Sequence, residues 1–67
     1  MELIINSESQ IIPDDIRTIN QLLDFKNISR KGTAVALNNN IVTSDNRDSE
    51  ILNDGDTLLI ISAAFGG

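Results

Sequence analysis

Two glycines close the chain, and their arrangement gives the clearest opportunity for chemistry. Gly66 and Gly67 have no Cβ, so this backbone can pass through a narrow channel, and the last carbonyl is open to attack from either face. The sequence contains no Cys and no His, which leaves neither a thiolate nor a His-assisted nucleophile for catalysis by the chain itself. We therefore expect a carrier protein rather than an enzyme, with the carboxylate of Gly67 as its working group.

An α-carboxylate is ionised near neutral pH and is a poor electrophile, so it must be activated before it can react. Adenylation by ATP is the obvious route, after which a sulfur nucleophile can displace AMP and leave a thiocarboxylate. The sequence holds no sulfur apart from the thioether of Met1. Partner proteins must therefore supply the sulfur and every catalytic group, and Phe65 and Gly66 would enter a partner's active site together with Gly67.

Acidic residues occur in close pairs, and metal binding has to be considered for them. The segment Asp54-Gly55-Asp56 matches a fragment of a calcium loop, but such a loop needs about twelve residues and a distal glutamate. Turn formation and solvent exposure account for these residues more simply. We expect no bound metal and no bound cofactor.

The net charge of −5, with only five Lys and Arg residues, argues against nucleic-acid binding. No apolar run reaches the roughly 18 residues of a membrane span, and no signal peptide is recognisable. The lack of cysteine fits a reducing compartment. The expected location is the cytoplasm, or the plastid stroma for a plastid-encoded protein.

The 67 residues form one predicted domain, residues 1–67, with a flexible glycine tail. Thr18 and Gln21 are spaced as a capping box at the start of a helix, and Ile19, Leu22 and Leu23 form its apolar face, which Phe25 can extend. Pro13 ends the second strand. Strands are predicted at residues 2–6, 10–12, 33–37, 41–43 and 58–61, with turns at 6–8, 38–40 and 53–56 and a polar surface loop at 44–50.

This order of elements predicts a two-layer α+β domain, in which one main helix packs on one face of a mixed sheet of about five strands. The first and last strands are apolar on both faces, which favours central positions for them. If they pair side by side and run parallel, the fold is a ubiquitin-like β-grasp.

Alternation along the strands separates a core face from an open face. The predicted core includes Leu3, Ile5, Val35, Val42, Leu58 and Ile60, covered from the helix by Leu22 and Leu23. Four apolar residues remain for the open face and form a predicted partner-binding patch: Ile4, Ala36, Leu59 and Ile61. Phe65 either packs back on the domain or anchors a partner, and Phe65 to Gly67 are expected to be poorly ordered in the free protein.

Taken in order, these segments resemble the ThiS family, the β-grasp sulfur-carrier proteins of thiamin (thiazole) biosynthesis. The similarity covers essentially the whole chain and is carried by residues 18–23, 35–42 and 54–56 and by the Gly66-Gly67 end. It implies an E1-like, ThiF-like adenylyltransferase that uses ATP and Mg, a cysteine desulfurase relay, and a ThiG-like thiazole synthase as partners. Family members often carry a tryptophan around Arg47, which this chain lacks, so contacts through that loop are not carried over.

Three alternatives remain open at this point. The small subunit of molybdopterin synthase (MoaD) has the same fold, tail and activation, although such chains tend to be longer and often have prolines before the last glycines. A protein modifier would use the same terminus to form isopeptide bonds. A passive β-grasp interaction module would have a glycine tail without chemical function.

Overall fold

A computed structural model describes residues 1–62 of the chain. The elements follow the predicted order of two strands, a helix and three further strands. Their bounds are β1 Glu2–Ile5, β2 Glu8–Ile11, α1 Ile19–Phe25, β3 Thr33–Leu37, β4 Asn40–Val42, a 3₁₀ helix Ser44–Asn46, and β5 Thr57–Ser62.

The five strands form one mixed sheet in the order β2-β1-β5-β3-β4. β1 and β5 run parallel at its centre, where Ile4 pairs with Thr57 and Ile5 with Leu58, while every other neighbouring pair is antiparallel. The α+β β-grasp prediction is therefore confirmed, including the central parallel pair. Each of these two strands has a neighbour on either side. Their apolar composition is typical of such interior strands.

Two hairpin turns set the register of the sheet. Asn6 and Ser7 have φ of 51° and 70°, and Asn38 and Asn39 have φ of 49° and 72°. Positive φ at both central residues is the type I′ geometry that suits two-residue hairpins, and Asn tolerates it well. Pairing therefore resumes directly after each turn, at Glu8 and at Asn40.

The early return of the chain corrects the predicted bounds of two strands. The second strand covers residues 8–11 rather than 10–12, and the fourth covers 40–42 rather than 41–43. Ile12 has left the strand and is buried in the core. The sequence pattern favoured the apolar residues over the polar Glu8 and Ser9, yet hydrogen bonding to β1 decides where the strand begins.

The capping box at the helix start is confirmed. The Gln21 amide donates to Thr18 Oγ1 at 3.2 Å, and the Thr18 amide donates to Gln21 Oε1 at 3.1 Å. The assignment of Phe25 to the apolar face is wrong, since Phe25 is 49% exposed. At about 100° per residue, Phe25 lies roughly 120° from the centre of the face that Ile19 and its neighbours form, whereas Lys26 falls close to it.

Apart from Phe25, the core contains every residue predicted to face it, from strands and helix alike. Ile12, Ile19 and Leu52 complete it. The predicted surface loop at 44–50 needs one correction, because it starts as a 3₁₀ helix and contains the buried Arg47. Within residues 1–62, no helix is both long and apolar enough to cross a membrane.

Candidate functional site

β5 is the element that leads to the C-terminal glycines, and the sheet holds it on both sides. Its pairing with β3 continues to the end of the strand, where Thr33 lies opposite Ser62. The amides of Ile4 and Asn6 donate to the carbonyls of Asp56 and Leu58, each at 2.9 Å, along the parallel side. A firmly held strand therefore precedes residue 63. The tail residues Phe65, Gly66 and Gly67 lie outside the described residues, and the expectations for their order and packing stay predictions.

The side chain of Asn6 forms hydrogen bonds to β5 close to the end of that strand. The side-chain Oδ1 of Asn6 accepts from the Ile60 amide at 2.8 Å, and its Nδ2 donates to the Ile60 carbonyl at 3.1 Å. The amide side chain thus continues the parallel ladder after the β1 backbone has turned away. Asn6 also has the left-handed φ of the hairpin turn. The same residue therefore forms the turn and hydrogen-bonds the strand that leads to the tail.

The predicted alternation along β5 is confirmed. Leu58 and Ile60 are buried, whereas Leu59 and Ile61 are 50% and 58% exposed on the face opposite the helix. Ile4 joins them at 37% exposure. Ala36 is on the same face but half-buried, because its small side chain lies between Leu59 and Ile41 on the neighbouring strands.

Sequence reasoning missed part of this apolar surface. Ile41 pairs with Ala36, and Ala34 pairs with Ile61, so both lie on the open face; Ile41 is 74% exposed. Ile11 joins the same face at the edge strand through its pairing with Glu2. The sequence shows that Ile41 and Val42 must point to opposite faces of the sheet. Which of the two is buried depends on the register that the Asn38-Asn39 turn sets. We call the following set the open face: Ile4, Ile11, Ala34, Ala36, Ile41, Leu59 and Ile61.

The acidic residues before β5 stabilise a turn. Asp54 accepts from the Glu2 amide at 2.6 Å, and Asp56 accepts from the Asn53 amide at 2.8 Å. Gly55 sits between them with φ +86°, a conformation that glycine adopts readily. Among residues 1–62 no group of three or more Asp or Glu side chains is placed to hold a metal ion. The Asp56 carboxylate therefore closes the turn, and the Asp54 carboxylate joins the turn to β1.

Comparison with known proteins bears on the whole chain. The ThiS family model matches residues 1–67. A crystal structure of the thiamine biosynthesis protein ThiS from Geobacter metallireducens has a TM-score of 0.82 at 20% identity, with 100% of each chain covered. An NMR solution structure of a thiamine biosynthesis protein from the same organism has a TM-score of 0.83 at 20% identity, covering 100% of this chain and 88% of that one. No curated protein sequence matches the chain.

Both solved structures, at 20% identity, share the fold of this chain. The family match extends over all 67 residues, including Gly66 and Gly67. The chain belongs to the ThiS family, the family of small sulfur carriers of thiamine biosynthesis.

Proposed function

We propose that this chain carries sulfur on Gly67 for formation of the thiazole of thiamin. An E1-like adenylyltransferase uses ATP and Mg to adenylate the Gly67 carboxylate: a carboxylate oxygen attacks the α-phosphorus, and pyrophosphate leaves. A persulfide of a cysteine desulfurase relay then attacks the activated carbonyl carbon and displaces AMP, which leaves an acyl disulfide on Gly67. A thiol of the partner proteins attacks the carrier sulfur of this disulfide, is itself oxidised to a disulfide, and releases the Gly67 thiocarboxylate. The resulting thiocarboxylate delivers its sulfur to a thiazole synthase.

The observation that carries this proposal is the family match over residues 1–67, which includes Gly66 and Gly67. The structure supports it in two ways. β5 and Asn6 hold the chain firmly up to Ser62. The five residues that follow can extend at most about 17 Å, which is long enough to enter a partner's active site while the domain stays outside.

The open face is the proposed docking surface of the domain. It spans all five strands from β2 to β4, about 19 Å at the usual strand spacing. Leu59 and Ile61 are its most prominent members near the tail, and an exposed cluster of large apolar residues marks protein-binding surfaces. Docking through this face would position the tail before the terminal carboxylate reacts.

Modification of the terminus is tested by incubating the protein with the E1-like enzyme, the desulfurase relay, cysteine and ATP-Mg. Mass spectrometry should show one oxygen replaced by sulfur on the wild-type chain. Deleting Gly67, or adding one alanine after it, should abolish this product while leaving the urea unfolding midpoint unchanged, since a terminal glycine contributes little packing. Normal sulfur transfer by either variant would refute the assignment of Gly67, and attachment to other proteins would identify a modifier.

The docking surface is tested with Leu59→Asp, against Thr57→Asp as the matched control on the same strand and the same face. We expect Leu59→Asp to weaken binding to the E1-like enzyme at least tenfold, which corresponds to about 1.4 kcal/mol. Both side chains are exposed, so the variants should remain folded. Wild-type affinity in Leu59→Asp would show that docking does not use the open face.

A further inference from the structure

A groove of about 560 Å³ opens beside the end of β5. Its walls come from the start of β3, from the loop before it and from the 44–47 segment, and Ile61 of the open face forms one side. The groove therefore adjoins the open face at the end where the chain continues to its last five residues. A protein that grips those residues must bring its own surface close to this groove.

Positive charge is concentrated around the groove. Arg30, Lys31 and Arg47 line it, which are three of the five Lys and Arg residues in the chain. The opposite end of β5 is acidic, with Asp54 and Asp56 just before the strand. A protein with a net charge of −5 thus has three cations together beside the end of β5, and Asp24 and Asp48 raise the pKa of one of them, Arg30.

Arg47 is the most unusual of the three residues. It is only 5% exposed, and its guanidinium donates to the carbonyls of Arg30, at 3.1 Å, and Thr33. Its Nε has no hydrogen-bond partner in the part of the chain that the structure describes, and neither ion pair formed there includes it. A buried cation without a counter-ion is unfavourable, so an anion in the groove would be stabilised by it.

Arg30 and Lys31, the other two cations of the groove, differ in whether they form an ion pair. Arg30 forms an ion pair with Asp24, at 2.6 Å from Nη2, and that hydrogen bond raises the pKa of Arg30 above its ordinary value. Lys31 is exposed and takes part in neither of the two ion pairs formed among residues 1–62. Lys31 can therefore meet an incoming carboxylate without first giving up a partner.

We propose that this groove receives a carboxylate-bearing loop of the enzyme that grips the tail. The inference rests on the proposed function, because it takes a tail-binding enzyme as the occupant. Charge complementarity supplies the reason for an acidic loop: the chain has a net charge of −5, yet three of its five Lys and Arg residues line this groove. Such an arrangement orients the domain and speeds the encounter more than it adds final affinity. Apolar contacts on the open face then complete the docking.

The test compares Lys31→Glu with Arg17→Glu. Each variant changes the net charge by the same amount, and Arg17 is exposed and lies outside the groove. Association rate and affinity are measured by surface plasmon resonance with the E1-like enzyme at low and high salt. At low salt Lys31→Glu should lose at least tenfold in association rate and Arg17→Glu less than about threefold. High salt should shrink this difference, because exposed charges are screened.

Equal losses for the two variants, or a difference that salt does not change, would overturn the groove proposal. Titration of the free protein with inorganic phosphate, followed by NMR at the Gly32 and Thr33 amides, provides a second measurement. Saturable phosphate binding there, with normal association of Lys31→Glu, would assign the groove to a small anion and overturn the acidic loop. Adenylation of the wild-type chain is measured in parallel. If it fails, the proposed function is wrong; if it succeeds while the two variants behave alike, only the groove proposal is wrong.

Discussion

Ile60 and Ile61 are adjacent and chemically identical, but they face opposite sides of the central strand. Truncating each to alanine therefore measures what burial on the core face contributes at this point of the sheet. Ile60 is 7% exposed and lies opposite Val35, whereas Ile61 is 58% exposed on the open face. Backbone hydrogen bonds of β5 are unaffected by either change.

The expected losses follow from buried area. Truncation of isoleucine to alanine removes three carbons, worth about 2.4 kcal/mol at roughly 0.8 kcal/mol each when fully buried. Ile60→Ala loses nearly all of this and leaves a cavity, so we expect a loss of about 3 kcal/mol. Ile61 is less than half buried, so Ile61→Ala should lose only about 1 kcal/mol. A domain of this length has a total stability of about 3 to 10 kcal/mol, so the first loss is a large fraction of it.

Urea unfolding followed by circular dichroism measures the difference. With a slope of about 1 kcal/mol per molar for so small a domain, the two midpoints should differ by about 2 M. If Ile60→Ala does not fold, the milder pair Ile60→Val and Ile61→Val keeps the comparison, with an expected loss of about 1 kcal/mol for the first and much less for the second. Equal losses, or a larger loss at Ile61, would refute the assignment of faces and with it the open face.

Two further predictions concern residues with left-handed backbone. Asn6→Ala removes both side-chain hydrogen bonds to Ile60 and also places alanine at φ 51°, so its free energy of unfolding should fall by about 2 to 3 kcal/mol. Asn6→Gly loses the same hydrogen bonds but adopts this φ readily, so its loss should be about 1 kcal/mol smaller. Equal midpoints for these variants in urea would show that backbone conformation contributes nothing at this turn. Gly55→Ala should lose only about 1 kcal/mol, from backbone conformation alone, because a Cβ at this position meets no atom within 4 Å. Gly55→Asn should lose less, and a loss above about 3 kcal/mol in thermal unfolding would point to a steric clash instead.

Features that depend on a few neighbouring residues were predictable from the sequence. The capping box needs only Thr18 and Gln21 at the right spacing, and the side chains of both residues form it as expected. The Asn38-Asn39 turn forms because asparagine tolerates positive φ. Alternation along β5 assigned Leu58 and Ile60 to the core, since a strand has a period of two wherever one face is buried.

Features that depend on where distant segments meet were not predictable in this way. Arg47 lies in a polar stretch of sequence, yet its side chain is buried because its guanidinium donates hydrogen bonds to the carbonyls of Arg30 and Thr33. No pattern in the neighbouring sequence predicts that a loop residue will be buried by contact with a distant loop.

For this protein, the sequence alone determined the order of the main elements and the two faces of the central strand, and Gly66 and Gly67 led to the prediction of a carrier. These follow from local backbone preference, from side-chain periodicity and from the chemistry of residue types. Tertiary structure decided that Ile41 joins the open face, that Asn6 hydrogen-bonds the strand leading to the tail, and that Arg47 lines one groove with the neighbouring pair Arg30 and Lys31. Each of these depends on strand order and register, which long-range pairing between β1, β5 and β3 fixes only when the whole sheet forms.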